Sequence, residues 1–489
     1  MKPATRLLLW LAGWAALLMI VAALAVMIAV TQSRRALEAT RSELAERGEK
    51  LSVAALAPPA RPGTGNGAEA LTEASREIAE IAKAREIPRV TIGQKESDPG
   101  FAEVLHRRHA AVRRQDDVPW QDVAAGLQPM RDALEKLHTA AAAPALEAQP
   151  DFSRGFTMPM DSVGNLLTGA QHLSISGLVL LQEGRTSEAA EAIVTLIRMS
   201  GLPARQPVLI SQLVAASILG LAQVNTWEAL QSGMSGQDLA RLQSAWEQSR
   251  KIDSIPKALR MERAMAAAMF DEYSRTMGIS SMTAAPASSL PASLSELASM
   301  AGFGAWKFIF RYSDERQFLL NYQDLLDTLP PQPGGSWRPV LEKAADIETA
   351  LTGAGIGRMF SSTLVPTLRS SLHRFAMIDT ARNLTIAALA IRRYQIDHGG
   401  ALPAALEALV PEYLSAVPQD PLAGRPLRYQ VLDPDGFLLY SAGLDGIDNG
   451  GDASPAGRTH SFLDRKDIVW PRPASEKKRP QEEPANAVP

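Results

Sequence analysis

A short segment near the C-terminus concentrates the oxygen-bearing side chains that bind hard cations such as calcium. The candidate ligands are Asp445, Asp448, Asn449 and Asp452, with Asp467, or else Asp464, returning a further carboxylate from beyond the segment. Glycines between them let the backbone fold tightly enough for carbonyl oxygens to join the ligands. The spacing is not that of the EF-hand loop, because no Glu stands at the closing position. Since clustered carboxylates repel one another without a cation, the segment predicts a structural calcium site. A solvated turn without metal is the alternative.

The rest of the chain carries no comparable chemical signature. It contains no cysteine, which excludes disulfides, thiolate zinc sites and cysteine nucleophiles. The zinc-protease motif His-Glu-x-x-His, the serine-hydrolase motif Gly-x-Ser-x-Gly and the phosphate-binding motif Gly-Lys-Ser/Thr are also absent from the sequence. Glu103, His106 and His109 follow at intervals of three, so they fan around a helix instead of converging on a metal. Glu262 and Arg263 predict a structural ion pair with a neighbouring helix, the alternative being an acid in a cleft. The sequence therefore predicts that the protein is not an enzyme.

The acidic segment belongs to a small predicted α+β unit, residues 367–473. A long helix is predicted over 368–398 from apolar side chains at three-to-four spacing. A short helix over 404–410 follows. Two strands, over 427–432 and 437–442, then pair as an antiparallel hairpin across an Asp-Pro-Asp-Gly turn. This order places the acidic segment directly after the second strand.

A series of short motifs runs through this unit. In chain order they are Ala390 to Gly399, Leu402-Pro403, Asp420-Pro421, Gly424-x-Pro426, Tyr429, Tyr440-Ser441-x-Gly443-x-Asp445-Gly446, Asp467-Ile468 and Trp470. Together they resemble the C-terminal head of the major pseudopilin of type II secretion; the rest of the chain resembles no family. In that family the loop after the last hairpin strand binds calcium. The resemblance therefore implies a calcium site here and a role in the cell envelope.

The N-terminus carries a predicted membrane anchor. Residues 7–30 contain no charged side chain, and their number matches the roughly 20 residues that span a hydrocarbon core. Trp10 and Trp14 lie near the first end, where indole rings favour the membrane interface. A signal peptide cleaved after Ala23-Leu24-Ala25 is the alternative, although the apolar run continues past that site. Basic residues flank the span on both sides, so charge bias does not set its orientation. The pseudopilin resemblance implies that the bulk of the chain is extracytoplasmic or periplasmic.

Between the anchor and the C-terminal unit the sequence pattern is helical. Composition divides the chain into a transmembrane anchor with a charged, solvated stalk (1–50), a Pro/Gly linker (51–67), an α-helical domain (68–366), the pseudopilin-like unit (367–473) and a disordered tail (474–489). Residues 208–224 are apolar enough to suggest a second span, but polar side chains interrupt them and favour a buried core helix. The predicted fold class is mainly α: a transmembrane helix, a large helical body and a small α+β head with an antiparallel hairpin or sheet.

The formal net charge of −3 excludes the basic surface that nucleic-acid binding requires. The sequence predicts a single-pass membrane-anchored envelope protein with a calcium-stabilised, pseudopilin-like head, acting in secretion or as a scaffold. The predicted partners are the lipid bilayer, through residues 7–30, and envelope or secretion-system proteins. Two alternatives stay open. One is a helical-repeat binding module for an envelope partner, and the other is an extracytoplasmic hydrolase with its site between body and head.

Overall fold

The computed structural model describes residues 3–58, 65–84, 120–148, 150–249, 254–276, 302–330, 335–433, 436–454 and 466–470. The described residues are 73% helical with a small antiparallel sheet near the C-terminus, which confirms the predicted mainly α class. Several predicted features lie outside the described residues. They are the tail 474–489, part of the linker 51–67, and Glu103, His106, His109 and Asp464.

The described helices follow one another through most of the chain. They are α1 (Pro3–Glu46), α2 (Val53–Leu56), α3 (Ala68–Ala84), α4 (Trp120–Leu127), α5 (Arg131–Ala141), α6 (Asp161–Gln182), α7 (Thr186–Met199), α8 (Gly201–Ala204), α9 (Leu209–Gln231), α10 (Gly236–Gln248), α11 (Ile255–Thr276), α12 (Arg311–Thr328), α13 (Arg338–Leu351) and α14 (Met359–Asp397). A π-helical turn, Trp306–Phe310, leads into α12. Single 3₁₀ turns lie at Gln128–Met130, Phe152–Thr157, Gly355–Arg358 and Leu406–Leu409.

Helix α1 is unbroken, but its two halves have different surroundings. Every residue over 10–29 is exposed, although the segment is apolar. In the second half, Leu37 and Leu44 are buried together with Ala267 of α11 and Leu319 of α12. The structure therefore differs from the expected solvated stalk. The reason is that leucines seven residues apart form one apolar stripe, and this stripe meets an apolar surface of the body.

Helix α9 is also long and apolar enough to cross a membrane, but 67% of its most apolar window is buried within the protein. It packs against α6, α7 and α14. One of its polar side chains bonds to a neighbouring helix: Asn225 Nδ2 donates to Ser174 Oγ of α6 at 2.6 Å, and also to the Leu221 carbonyl of α9 itself at 3.1 Å. The predicted buried core helix is confirmed.

One hydrophobic core joins the body to the C-terminal unit. Helix α14 begins at Met359, before the predicted boundary at residue 367, and packs along α9, α10 and α13. Leu384 of α14, Leu439 of the hairpin and Trp470 near the end of the described chain are all buried in the same cluster as the body helices. The C-terminal unit therefore completes the core of the body.

Two short antiparallel sheets form the β part of the C-terminal unit. β1 (Gln419–Asp420) pairs with β2 (Arg425–Pro426), and β3 (Arg428–Asp433) pairs with β4 (Gly436–Ser441) in the predicted hairpin. β5 (Ile468–Val469) then adds to the other edge of β4. The predicted short helix over 404–410 is a 3₁₀ turn, Leu406–Leu409. Because β5 returns beside the end of β4, the residue before it lies next to the start of the acidic segment.

Candidate functional site

Asp467 lies beyond the acidic loop, residues 443–454, in the chain, but its carboxylate binds the backbone of that loop. Its side chain is fully buried, and its Oδ2 atom accepts three backbone N–H bonds, from Asn449 (3.1 Å), Gly451 (2.8 Å) and Asp452 (3.1 Å). Burial raises the pKa of Asp467, while these hydrogen bonds oppose the rise. The carboxylate therefore ties the backbone of the loop to the start of β5 through charge-assisted bonds.

Asp448 faces a cation and a phenol. Its Oδ2 accepts the Nε–H of Arg428 at 2.8 Å, and its Oδ1 accepts the Tyr440 hydroxyl at 2.8 Å and the Gly450 N–H at 3.0 Å. The Gly450 N–H, then the Tyr440 hydroxyl, lower the pKa of Asp448 most. Asp448 is therefore an ionised acceptor that joins the loop to both strands of the hairpin.

Asp452 is paired with the residue before Asp467. Its Oδ2 accepts Lys466 Nζ at 2.8 Å, and its Oδ1 accepts the Ser454 N–H at 2.9 Å. The Lys466 ammonium, helped by Ser454, lowers the pKa of Asp452 to about 2. This pair closes the far end of the described loop.

Asp445 and Asn449, like Asp448, are exposed members of the predicted ligand set. Asp445 Oδ1 accepts the Ile447 N–H at 3.0 Å, and Asn449 Nδ2 donates to the Ile447 carbonyl at 2.9 Å. The main-chain oxygen of Asp445 accepts a hydrogen bond from the Arg338 guanidinium at the start of α13. These contacts stabilise turns inside the loop and attach it to the body.

The structure thus brings all five predicted calcium ligands together at the acidic loop, and carboxylate oxygens of all four Asp residues accept hydrogen bonds from protein donors. No group of three or more His, Cys, Asp or Glu side chains that could hold a metal occurs among the described residues. Calcium requires about 6–8 oxygen ligands directed at one point. In the present arrangement Lys466, Arg428 and the backbone N–H groups occupy the carboxylate oxygens, so the donor set does not fit the ion. Calcium binding here stays a prediction.

Two glycines of the loop are required by close packing. Gly446 has a φ of 65° and lies directly against the Arg338 guanidinium. Gly451 has a φ of 82°, and a Cβ atom there would lie 2.7 Å from Cδ2 of Leu438. A side chain at either position would combine backbone strain with a steric clash.

Asp420 is a buried carboxylate that the sequence analysis did not assign to the site. Only 2% of it is exposed. It accepts the Leu422 N–H at 2.9 Å, the Ser441 hydroxyl at 2.8 Å and the Ala442 N–H at 2.9 Å. Asp420 therefore fixes the turn between β1 and β2 to the base of the acidic loop. An Asp directly before Pro421 was the available signal, because such residues bond their own backbone in turns.

Glu262 and Arg263 are adjacent on α11 but have different environments. Arg263 is fully buried, and donates to Glu49 at 2.6 Å and to Gln323 at 2.6 Å. The expected ion pair is therefore present, although Glu49 lies after the end of α1 and not on a neighbouring helix. Glu262 instead accepts the Leu209 N–H at 3.1 Å, and burial raises its pKa to about 7.

A cavity of about 870 Å³ lies where α2 and α11 meet the end of α1. Its lining includes Asp151, Asp271 and Arg41 over an apolar wall. Hydrogen bonds from Ser153 lower the pKa of Asp151, and Asp271 lies 3.8 Å from Arg41. The polar lining of this cavity therefore includes two carboxylates and one guanidinium.

A second cavity, of about 480 Å³, is rimmed by three arginines over a floor that includes Val194 and Ile197. The ion pairs of these arginines are Arg198 with Glu191 at 3.8 Å, Arg241 with Glu191, and Arg205 with Glu147 at 3.8 Å. Three guanidiniums share two carboxylates, so the rim carries an excess of positive charge.

No protein-family model, curated protein or solved structure matches this chain.

Proposed function

We propose that this chain is a single-pass membrane protein that holds a helical body and a pseudopilin-like head at the extracytoplasmic face of a membrane, as a scaffold in the envelope or in secretion. The main support for this proposal is the difference between the two halves of α1. Residues 10–29 expose an apolar surface on all sides, which costs about 25 cal/mol per Å² in water and is removed from water by a bilayer. Trp10 and Trp14 lie at its first end.

The second half of α1 supports a scaffold rather than a flexible tether. Arg41 pairs with Glu315, a buried residue of α12, and Arg47 pairs with Asp327 at 2.8 Å. Together with the buried leucines of α1, these contacts hold the body at a fixed position relative to the anchor. A rigid connection of this kind transmits position and orientation, which is what a scaffold requires.

The topology of the C-terminal unit supports the pseudopilin-like part of the proposal. The long helix α14, the hairpin β3–β4 and then an acidic loop follow in the order that the resemblance implies. The buried carboxylates Asp420 and Asp467 fix this loop at both ends. The unit therefore presents a hairpin and a loop whose backbone is held by buried carboxylates, an arrangement suited to making protein contacts.

Fractionation of membranes tests the anchor. The full chain should stay with the membrane after washing in alkaline carbonate, whereas a variant lacking residues 1–30 should be released with its thermal unfolding unchanged. Mass measurement of the N-terminus separates an anchor from a cleaved signal, because cleavage after Ala25 would remove most of the span. Release of the intact full chain by carbonate would contradict the proposal.

The absence of cysteine from the sequence allows a direct test of orientation. Glu412 is exposed on the C-terminal unit, so Glu412→Cys should react with a membrane-impermeant maleimide in intact cells or spheroplasts. Labelling that requires lysis would place the body on the cytoplasmic side.

Calcium titration of the full chain tests the metal prediction. Calcium would have to replace Lys466 and Arg428 at the carboxylates that they now neutralise. If it binds, the melting temperature should rise with calcium and fall with chelator, and Lys466→Gln should enlarge the difference by freeing Asp452. Equal melting with calcium and with chelator, in both proteins, would show that the loop is closed by protein contacts alone.

A second candidate function, a binding module, is favoured by the arginine-rimmed cavity. Its excess positive charge and apolar floor match an acidic protein segment that carries an aliphatic side chain. A Leu-containing acidic peptide should bind the full chain, and Arg205→Gln with Arg241→Gln should weaken binding several-fold. Arg76→Gln with Arg185→Gln is the matched control, because it also removes two charges, from exposed arginines of the same body outside the cavity. Equal weakening of peptide binding by the control would show that binding depends on the net charge of the protein and not on the cavity.

A further inference from the structure

Helix α12 runs beside the second half of α1 in the same direction, and their contacts fix the register. Near the middle of α1, Thr40 pairs with Arg316 and Arg41 with Glu315, and near its end Arg47 pairs with Asp327. Residue numbers rise together on the two helices, so they are parallel. Residues of α1 that are closer to the membrane span therefore lie beside residues that are closer to the N-terminus of α12.

This register places the turn before α12 just beyond the end of the span. Phe308 lies seven residues before Glu315, and Arg34 lies seven residues before Arg41, so Phe308 is at about the level of Arg34. Val30, the last residue of the apolar run, lies four residues before Arg34, which is about 6 Å along the helix axis. The turn Trp306–Phe310 also contacts α1 directly. Phe308 therefore lies within about one helical turn of Val30, just outside the apolar run.

The surface at this height is apolar and basic. Phe308 is 71% exposed, the highest fraction among the large apolar side chains that the structure describes. Ile356, 46% exposed, lies over Gly302, where a Cβ atom would be 3.6 Å from its Cδ1, and its turn, Gly355–Arg358, contacts the turn Trp306–Phe310. Lys307 Nζ lies 5.9 Å from the centre of the Phe308 ring, and Arg311 follows one turn later. Aromatic and aliphatic side chains beside lysine and arginine are the composition of a membrane interface.

We propose that this surface, the membrane edge (Phe308, Ile356, Lys307 and Arg311), rests in the headgroup layer of a bilayer that contains anionic phospholipid. The inference rests on the proposed function, because α1 must span the membrane for the register to apply. Phe308 and Ile356 enter the boundary of the acyl chains, and the two cations meet lipid phosphates. The body then touches the membrane at two places, α1 and the membrane edge, which fixes its tilt and its rotation about the anchor.

Single-cysteine labelling in a chain without native cysteine tests this contact. Phe308→Cys and Ile356→Cys would each carry an environment-sensitive NBD label, in the full chain reconstituted into phosphatidylcholine vesicles with phosphatidylglycerol. Met27→Cys, 60% exposed within the span, is the positive control. Phe156→Cys, 50% exposed on a turn that contacts α2 beyond the far end of α1, is the matched negative control. Doxyl groups placed at shallow or deep positions in the lipid report the depth of each label.

The expected result is blue-shifted emission and strong quenching by shallow doxyl lipid for the labels at 308 and 356, with neither change at 156. Labels at 308 and 356 that behave like the label at 156, while the label at 27 is quenched, would overturn the membrane edge and leave the anchor intact. A blue shift without lipid quenching would also overturn it, because another part of the protein would then cover Phe308. A label at 27 that escapes quenching would overturn the anchor itself, and the inference with it.

Discussion

Glu49 controls the junction between the anchor helix and the body, and its replacement gives the sharpest test of how the two are joined. One carboxylate serves two guanidiniums. Its Oε2 lies 2.6 Å from Arg263 Nη2 and 3.0 Å from Arg260 Nε, and its Oε1 lies 3.1 Å from Arg260 Nη2. Arg263 is fully buried, and only 11% of the Glu49 side chain is exposed. Burial raises the pKa of Glu49, but the hydrogen bonds from Arg260 and Arg263 outweigh it and lower the pKa overall.

Glu49→Gln keeps the size of the side chain and removes the charge that Arg263 needs. Removing one partner of a buried ion pair costs about 3–5 kcal/mol, and the amide oxygen retains one hydrogen bond, so we expect about 3 kcal/mol. At roughly 2 °C per kcal/mol for a large domain, the melting temperature should fall by about 6 °C. Arg47→Gln is the control. It breaks a pair whose side chains are 48% and 47% exposed, which is worth about 0–1 kcal/mol.

Thermal unfolding of the detergent-solubilised full chain, followed by circular dichroism, measures both variants. Adding Arg263→Met to Glu49→Gln should restore part of the loss, because it removes the unpaired buried charge and leaves an apolar side chain. Equal melting of Glu49→Gln and Arg47→Gln would refute the reasoning. It would mean that Arg263 is stabilised by Gln323 or by water and does not depend on Glu49.

Three further predictions concern single ionisable groups. The pKa of Glu262 in the folded chain is about 7, above its ordinary value of 4.5. Between about pH 4.5 and pH 7 the unfolded chain loses the Glu262 proton while the folded chain keeps it, so the folded state becomes less stable as pH rises through this range. Glu262→Gln should therefore melt like the unaltered chain near pH 5 and at a higher temperature near pH 8; identical melting at both would contradict the burial of this carboxyl. Asp420→Asn should lose about 2 kcal/mol in chemical denaturation, because one of its oxygens becomes a donor facing donors, whereas exposed Asp445→Asn should change by less than about 0.5 kcal/mol. Lys466→Gln should cost less than about 1 kcal/mol at neutral pH, since its pair is 41% and 40% exposed. In the unaltered chain, protonation of Asp452 below about pH 4 breaks its pair with Lys466 and lowers stability; Lys466→Gln should remove this part of the loss in acid. A loss of stability at neutral pH as large as that of Asp420→Asn would contradict the small role expected for Lys466.

The acidic loop shows how far local sequence can predict a site. The density of acids and glycines between Asp445 and Asp452 was enough to locate a specialised loop after a hairpin strand. The direction of each carboxylate was not predictable, because it depends on donors outside the loop, such as Arg428 and Lys466. Asp467 faces the loop only because β5 pairs with the far edge of β4.

The charged second half of α1 is another case in which the local sequence predicted one feature and left another undecided. Leucines seven residues apart indicated one apolar stripe, but a stripe in a charged helix suits a solvated stalk or a packed helix equally well. Only the presence of Ala267 and Leu319 opposite Leu37 and Leu44 decides between them.

The sequence by itself determined the helical class, the apolar span, the hairpin and the acidic loop, because each depends on periodicity or composition within a few dozen residues. The tertiary structure alone decided which charges meet. Arg263 finds its carboxylate 214 positions away, at Glu49, and Arg41 finds Glu315 274 positions away. Contacts across such distances depend on how whole helices pack, which no local pattern records.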